Sequence, residues 1–478
     1  MKNKFFYKTA GAIFILLSVW GCKSSQITFK EANTSVPEQY QSGKPGDTIS
    51  VARLNWREYF ADEYLTALID TALKNNQELN ILLQEIEISK NEIKARKGEY
   101  LPFVNAGIGA GFDKSGRYTR FGALEEQLEI KEDKHFPEPL TDLKLGVNFN
   151  WEIDIWKKLR NAKQAAATRY LASIEGRNFM VTQLVSEISD AYYELMALDN
   201  LLDIIEKNIE IQSSALKVVR LQKESAKVTQ LAVNRFEAQL LNTQNLQFEI
   251  RQKIVEAENR INFLTGRFPA PVVRNSENLL NIRLDSIQAG IPSQLLNNRP
   301  DIRQAELELA ASKLDVKVAK ANFYPTLGIS AGLGFQAFNP KFIFNPESFL
   351  YNLAGDLLAP VINRNAIKAA YNTASAKQIQ AVYDYEKTVL NAYVDVLNQL
   401  SKMNNYAQSY ETKSKEVEIL LHSVSIANNL FNSARADYGE VLLTQKEALE
   451  SKMEMIEIKM KQLNAKVSIY RALGGGWQ

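Results

Sequence analysis

The sequence predicts a mainly α chain with a membrane β-barrel portion, built from two structural repeats. Three observations carry this. Residues 75–112 align without a gap on residues 298–335 at a constant offset of 223, and ten of the 38 positions are identical, among them Pro102/Pro325, Gly109/Gly332 and Phe112/Phe335. Internal duplication of this kind fixes the architecture before any single element is read, and so long a period marks two half-chains rather than solenoid units. Four segments alternate between apolar and small or polar residues, and the long stretches after them carry apolar residues at helical spacing.

The likeness continues at smaller offsets. Asp190, Ala191 and Tyr192 match Asn391, Ala392 and Tyr393 at an offset of 201, and residues 263–266 match 472–475 at 209. The fall from 223 to 201 places about 22 extra residues in the first half. They fall in 113–141, a polar stretch with Pro137 and Pro139 that predicts a long loop between two strands, on the outside of the cell. Each half then reads helix, strand, loop, strand, long helix, turn, helix.

The first 21 residues read as a signal peptide. Lys2, Lys4 and Lys8 form a basic region, and the apolar run 10–19 is too short to span a bilayer. Cys22, the only cysteine in the chain, follows Val19, Trp20 and Gly21 in a pattern that resembles a bacterial lipobox. A lipidated Cys22 is the expectation; a plain secretory signal with an incidental cysteine is the alternative. The expected organisation is a lipoprotein signal peptide over 1–21, a lipid-anchored extended segment over 22–60, a first repeat over 61–266, a linker over 267–292 and a second repeat over 293–478.

Helices are expected over 78–100 and 301–323, each leading through a proline into a strand. In the first strand Val104, Ala106, Ile108, Ala110 and Phe112 oppose Asn105, Gly107, Gly109 and Gly111. In the second, Leu143, Leu145, Val147, Phe149 and Trp151 oppose Lys144, Gly146, Asn148, Asn150 and Glu152. The third sets Leu327, Ile329, Ala331, Leu333 and Phe335 against Thr326, Gly328, Ser330, Gly332 and Gly334. The fourth is weaker, with Phe349, Tyr351 and Leu353 against Asn352, Ala354 and Asp356. Apolar residues facing lipid and polar or small ones facing a lumen are the signature of a transmembrane barrel wall. Ile108, Phe149, Ile329 and Leu333 are therefore expected to face lipid. Pattern alone also admits a soluble half-buried sheet, but the aromatic ends and small opposite faces favour the membrane. Four strands cannot close a barrel, and open edges are not tolerated in lipid. The chain must share its barrel with other copies: two would give eight strands and three would give twelve.

Long helices follow over 157–224, where Gly176 interrupts, and over about 363–434. Turns are expected at 225–229 and 434–440, and return helices over 231–263 and 441–473. A seam runs through Val233, Phe236, Leu240, Thr243, Gln247, Ile250, Ile254, Ala257, Ile261 and Leu264, and again through Leu449, Met453, Ile456, Met460, Leu463, Val467 and Tyr470. This 3.5-residue period belongs to helices supercoiled against neighbours. Met453 and Met460 lie on it as core fillers rather than metal ligands. End to end, one short helix from each side of a strand pair roughly matches one long helix, which suggests a hollow helical cylinder continuing from the strand barrel, its turns farthest from the membrane.

The composition offers no chemistry. Fifty-seven basic residues against 55 acidic ones give no nucleic-acid signal. Neither His135 nor His422 lies in a recognisable constellation with Ser, Asp or Cys, and there is no P-loop, dinucleotide fingerprint or zinc spacing. No enzyme activity, metal site or cofactor is expected, apart from the covalent lipid on Cys22.

Four further pieces are similar to one family. They are Arg299-Pro300-Asp301-Ile302, Phe323-Tyr324-Pro325, Pro360-Val361-Ile362 and the terminal Ala472-Leu473-Gly474-Gly475-Gly476-Trp477. With them the chain resembles the TolC-type outer-membrane efflux proteins, in the lipoprotein branch that serves resistance–nodulation–division pumps. The resemblance implies a homotrimer with a twelve-stranded barrel among outer-membrane lipids and an α-helical barrel in the periplasm. It implies a periplasmic adaptor protein and an inner-membrane pump as partners, and a passive exit duct for drugs and small toxic compounds. The adaptor-contacting turns would hold Ser225, Ala226 and Lys227 in the first half and Ala434, Tyr438 and Gly439 in the second. The first turn lacks the glycine that the family commonly places there. The aperture would be closed near 426–437, with Asn428, Asn432, Arg435 and Asp437 as its polar candidates; polar residues that simply face solvent are the alternative for each. A similar duct could serve type I protein secretion, and a structural periplasmic coiled-coil lipoprotein is the remaining possibility.

Overall fold

Pro102 and Pro325 each separate a helix from a strand. Proline cannot donate the helical hydrogen bond and pushes the residue before it into extended backbone. The helices here end at Tyr100 and Ala321, and the strands begin at Phe103 and Thr326. The structure is a computed structural model that describes residues 29–40, 50–131, 133–282, 289–362, 364–433 and 435–477. Cys22, the signal segment and Ala434 lie outside the described residues.

The helices are α1 (Trp56–Phe60), α2 (Glu63–Asn75), α3 (Gln77–Tyr100), α4 (Arg120–Gln127), α5 (Lys158–Glu224), α6 (Gln230–Leu264), α7 (Leu295–Asn298), α8 (Pro300–Ala321), α9 (Asn365–Asn432) and α10 (Tyr438–Ala472). The strands are β1 (Phe103–Asp113), β2 (Glu129–Lys131), β3 (Lys134–His135), β4 (Leu140–Ile153), β5 (Thr326–Ala337) and β6 (Phe349–Leu358). The expected helix and strand order holds, with boundaries moved by a few residues.

The chain divides into two compact units. Among the described residues the first comprises 29–31, Ile88–Tyr170 and Leu307–Val382. Its centre is a four-stranded antiparallel sheet in the order β1-β4-β5-β6. The stretch 113–141 is more than a loop: it holds α4, capped by Thr119, and the β2–β3 ribbon.

The second unit comprises Ala32–Glu87, Leu171–Glu306 and Tyr383–Gln478. Its core gathers Leu65, Ile69, Ile188, Tyr192, Leu195, Ile261, Leu463 and Tyr470, all essentially without solvent contact. Both predicted seams run into this core, while Val233 and Phe236 at the start of the first pack in a separate cluster with Leu216 and Val219. Val233, Phe236, Thr243, Ile250, Ala257, Ile261 and Leu264 are buried on α6, as are Leu449, Ile456, Leu463, Val467 and Tyr470 on α10. Met453 and Met460 pack against the same cluster. The segment before the first repeat is not wholly extended, because α1 buries Trp56 and Phe60, one helical turn apart, in this core. Gly176 does not interrupt α5; the Gln304 side chain lies over it, so close that a Cβ would sit 3.0 Å from its amide nitrogen.

The register of the duplication also differs from the sequence alignment. β1 and β5 correspond at 223, and Phe103↔Asn150 against Thr326↔Leu358 then pairs β4 with β6 at 208. The same 208 relates the ends of α5 and α9 (Glu224, Asn432) and of α6 and α10 (Leu264, Ala472). The expected 201 is one heptad short. A seven-residue slip leaves a heptad seam in phase, so chance identities at Asp190–Tyr192 could align out of place. The expected 209 at the last turn is one residue long. The first half therefore carries 15 extra residues, not about 22.

Side chains confirm the 208 register. Asn76 Nδ2 donates to Leu264 O at 3.0 Å, and its counterpart Arg299 Nη1 donates to Ala472 O at 2.9 Å. Arg299 also holds Asp301 through two parallel hydrogen bonds at 3.0 and 2.7 Å, and Trp477 Nε1 donates to Gly474 O at 2.9 Å. The family-like motifs at 299–302 and 472–477 thus form one clasp.

Candidate functional site: the sheet faces and the helix turns

In a β-strand successive side chains alternate between faces, so pairing register decides which residues share a surface. One face carries the rows Val104–Phe149–Ala331–Leu353, Ala106–Val147–Leu333–Tyr351 and Ile108–Leu145–Phe335–Phe349. Trp151 beside Ile329 extends it. Ile108, Phe149, Ile329 and Leu333 therefore all lie on this face, as the alternation predicts. It is uncovered at its margins: Ile108 is 85% exposed and Leu353 77%. A contiguous apolar surface of this kind is foreign to soluble monomers and marks a membrane or partner contact.

The opposite face carries Asn105–Asn148–Gly332–Asn352, Gly107–Gly146–Gly334 and Glu152–Gly328–Asp356, with Asp142, Lys144 and Gln336 toward the other end. Gln336 Nε2 donates to Asp142 Oδ1 at 2.7 Å, and Lys144 lies 3.1 Å from the same carboxylate. Phe103, Leu140, Leu350 and Leu358 are the large apolar exceptions on this face.

Aromatic groups bracket the strands. At one end Trp151 Nε1 donates to Tyr100 O, and Trp156 stacks on Tyr324 while donating to Pro325 O at 2.7 Å. At the other, Phe335 meets Phe344 and Phe349 edge-on, and Phe338 meets Phe136 and Phe342. At the first end, Trp and Tyr with an apolar body and a polar tip suit a bilayer interface. The Trp156–Tyr324 pair escaped the sequence reading because neither residue falls on an alternating strand.

The sheet does not close. β1 and β6 are edge strands with one hydrogen-bonding side open. β1 and β6 also run in opposite directions, so β6 of one copy can continue antiparallel into β1 of another.

The helix turns are built in the second unit. After α5 the chain turns at Ala226, which takes φ 57°, while Lys227 N donates back to Gln222 O at 2.9 Å. An alanine thus occupies the left-handed position usually given to glycine at a helix end. Thr229 caps α6 by accepting from Ala232 N, and Val228 packs beside Val233, as in a hydrophobic staple. Ser225, Ala226 and Lys227 are exposed. In the second turn Asp437 caps α10 by accepting from Gly439 N and Glu440 N. Asn428 is half-buried near the end of α9, whereas Asn432, Arg435 and Asp437 are exposed. Tyr438 packs against the cluster of Leu216, Val219, Val233 and Phe236, with the Arg235 guanidinium over its ring. The two turns are therefore neighbours. Asp437 is committed to a cap, which the sequence reading did not foresee.

Among the described residues no helix is long and apolar enough to cross a membrane, and no group of His, Cys, Asp and Glu is arranged to hold a metal.

The sequence pattern of the family described as "Outer membrane efflux protein" matches residues 68–267 and 291–475. The chain is 25% identical over 472 residues to the solvent efflux pump outer membrane protein SrpC of Pseudomonas putida, covering 97% of each. It is 24% identical over 470 residues to the cation efflux system protein CusC of Escherichia coli (strain CFT073), covering 97% of this chain and 98% of that one. Its fold is shared with the open state of the Neisseria gonorrhoeae MtrE outer membrane channel, at a TM-score of 0.83 and 20% identity, over 95% of this chain and 98% of that one.

Proposed function

The chain belongs to the outer membrane efflux protein family, and on that premise we propose that three copies form the outer-membrane exit duct of a tripartite efflux system. The sheet with two open edges carries this reading. Exposed backbone groups are not tolerated in lipid, and the apolar face needs lipid against it. Three copies give twelve strands, with the asparagine and glycine rows lining the lumen. The α-helices would continue the duct through the periplasm, and the turns at Ala226 and Asp437 would meet an adaptor protein coupled to an inner-membrane pump. Asn428, Asn432, Arg435 and Asp437 remain the candidates for closing the aperture, and Cys22 the site of a lipid anchor. Solvent efflux in one relative and cation efflux in another leave transport of small toxic compounds as the shared theme. The chain would act as a passage, without catalysis.

Deletion and complementation test this directly. A strain lacking the chain should become more susceptible to hydrophobic dyes and solvents, and the intact gene should restore resistance. Unchanged susceptibility combined with loss of a secreted protein would assign the duct to protein secretion instead.

A further inference from the structure

The duplication predicts residue contacts between copies that a single chain cannot show. In the second repeat the turn after α10 forms a cleft with the start of α8, lined by Arg299, Pro300, Asp301, Arg471 and Gly474. The first repeat has the same cleft at the 223 and 208 offsets: Asn76, Gln77, Glu78, Phe263 and Gly266. Their surroundings differ. The second-repeat cleft has α5 over it, through Phe179, Thr182 and Gln183, and holds about 110 Å³. Arg471 Nη1 donates to Gln183 Oε1 at 3.2 Å, and a Cβ on Gly476 would touch Thr182 Cα at 3.5 Å. The first-repeat cleft is open, about 450 Å³, and its rim exposes Phe263 (68%) and Phe268 (93%).

The helix that would cover it is the counterpart of α5, namely α9. The residues equivalent to Thr182 and Gln183 are Leu390 and Asn391, and Leu390 is 62% exposed on its own chain. We infer that α9 of a second copy lies in the first-repeat cleft, with its Leu390 against Phe268 and its Asn391 beside Phe263. The intrachain contact of the first half on the second is thereby repeated as a contact of the second half on the next chain's first half. Such head-to-tail contacts close into a ring when the rotation permits. Two large exposed apolar side chains meet in the inferred contact, which suits the desolvated centre of an interface. This rests on the shared-barrel reading above.

Cysteine pairs test it. The variant Phe268→Cys/Leu390→Cys, oxidised in detergent and run without reductant, should lose its monomer band to dimers and trimers. Phe263→Cys/Asn391→Cys provides a second pair should the first fail to fold. Each single variant, still carrying Cys22, should give no such bands, nor should Phe268→Cys with Leu443→Cys, which lies toward the opposite end of α10. Trimers by mass without cross-links from either pair would overturn the inference and leave the shared barrel standing. Cross-links of equal strength from the control pair would overturn it too. Single chains by mass would remove the shared barrel and the inference together.

Discussion

Gly266 and Gly474 hold the same left-handed turn in the two repeats, at φ 68° and 91°, each against the carbonyl of an equivalent asparagine, Asn75 and Asn298. A Cβ on Gly474 would come 2.6 Å from Asn298 O, and one on Gly266 would also collide with its carbonyl. These turns are where each return helix is tied to the helix that opens its own repeat.

Gly474→Ala is therefore expected to destabilise the protein by about 1–3 kcal/mol from backbone strain alone, with the clash added. Gly266→Ala should act in the same direction. Gly98, within α3 and with no atom near its missing Cβ, provides the control: Gly98→Ala should leave thermal unfolding in detergent unchanged or slightly raised.

Arg299 binds Asp301, the Ala472 carbonyl and, at 3.6 Å, Asp395. Its removal leaves two partly buried carboxylates without their shared cation. Arg299→Ala should cost roughly 3–5 kcal/mol, the range for stripping one partner from a buried pair. Arg299→Lys keeps the charge but loses the fork, so it should fall between the two. Denaturant midpoints of the three proteins give the order.

On the apolar face, Ile329→Arg should block assembly into the membrane, at a cost of about 2–4 kcal/mol for a basic residue at mid-bilayer depth. Ser330→Arg, one residue on and pointing to the other face, should be tolerated. Equal trimer yield from both variants would remove the lipid-facing assignment.

Asp190 lies on α5 in the second unit, with its Oδ1 buried and unpartnered among the described residues. Burial pushes its carboxyl up to about 7, against the pull of Arg471 and Arg260 and with the push of Glu187 and Glu194. An unfolded aspartate titrates near about 3.9. Between these values the folded state holds the extra proton, so the Asp190 contribution to stability falls as pH rises and levels off above about 7. Asp190→Asn should therefore raise the unfolding midpoint most at pH above that value, and the gain should shrink on acidification. A gain independent of pH would assign the effect to packing.

Much of this architecture was legible in the sequence because it is periodic. The alternation of β1, β4 and β5 named the face that Ile108, Phe149, Ile329 and Leu333 share, and the 3.5-residue seams named the buried residues of α6 and α10. The exact correspondence of the halves was not legible, because heptad repeats tolerate a seven-residue slip. Only the strand pairing and the paired Asn76 and Arg299 contacts fix it at 208. Nor could pattern find α4, the β2–β3 ribbon or the cap made by Asp437, which depend on local polar contacts rather than on period. The clasp between residues 299–302 and 472–477 was visible as motif but not as contact.

The number of chains in the detergent-extracted complex tests the central claim most directly. Light scattering corrected for bound detergent should give three chains, and hence twelve strands, for a sheet that ends openly at β1 and β6. A stable, detergent-bound single chain would contradict it, because four strands would then satisfy their edges without a partner.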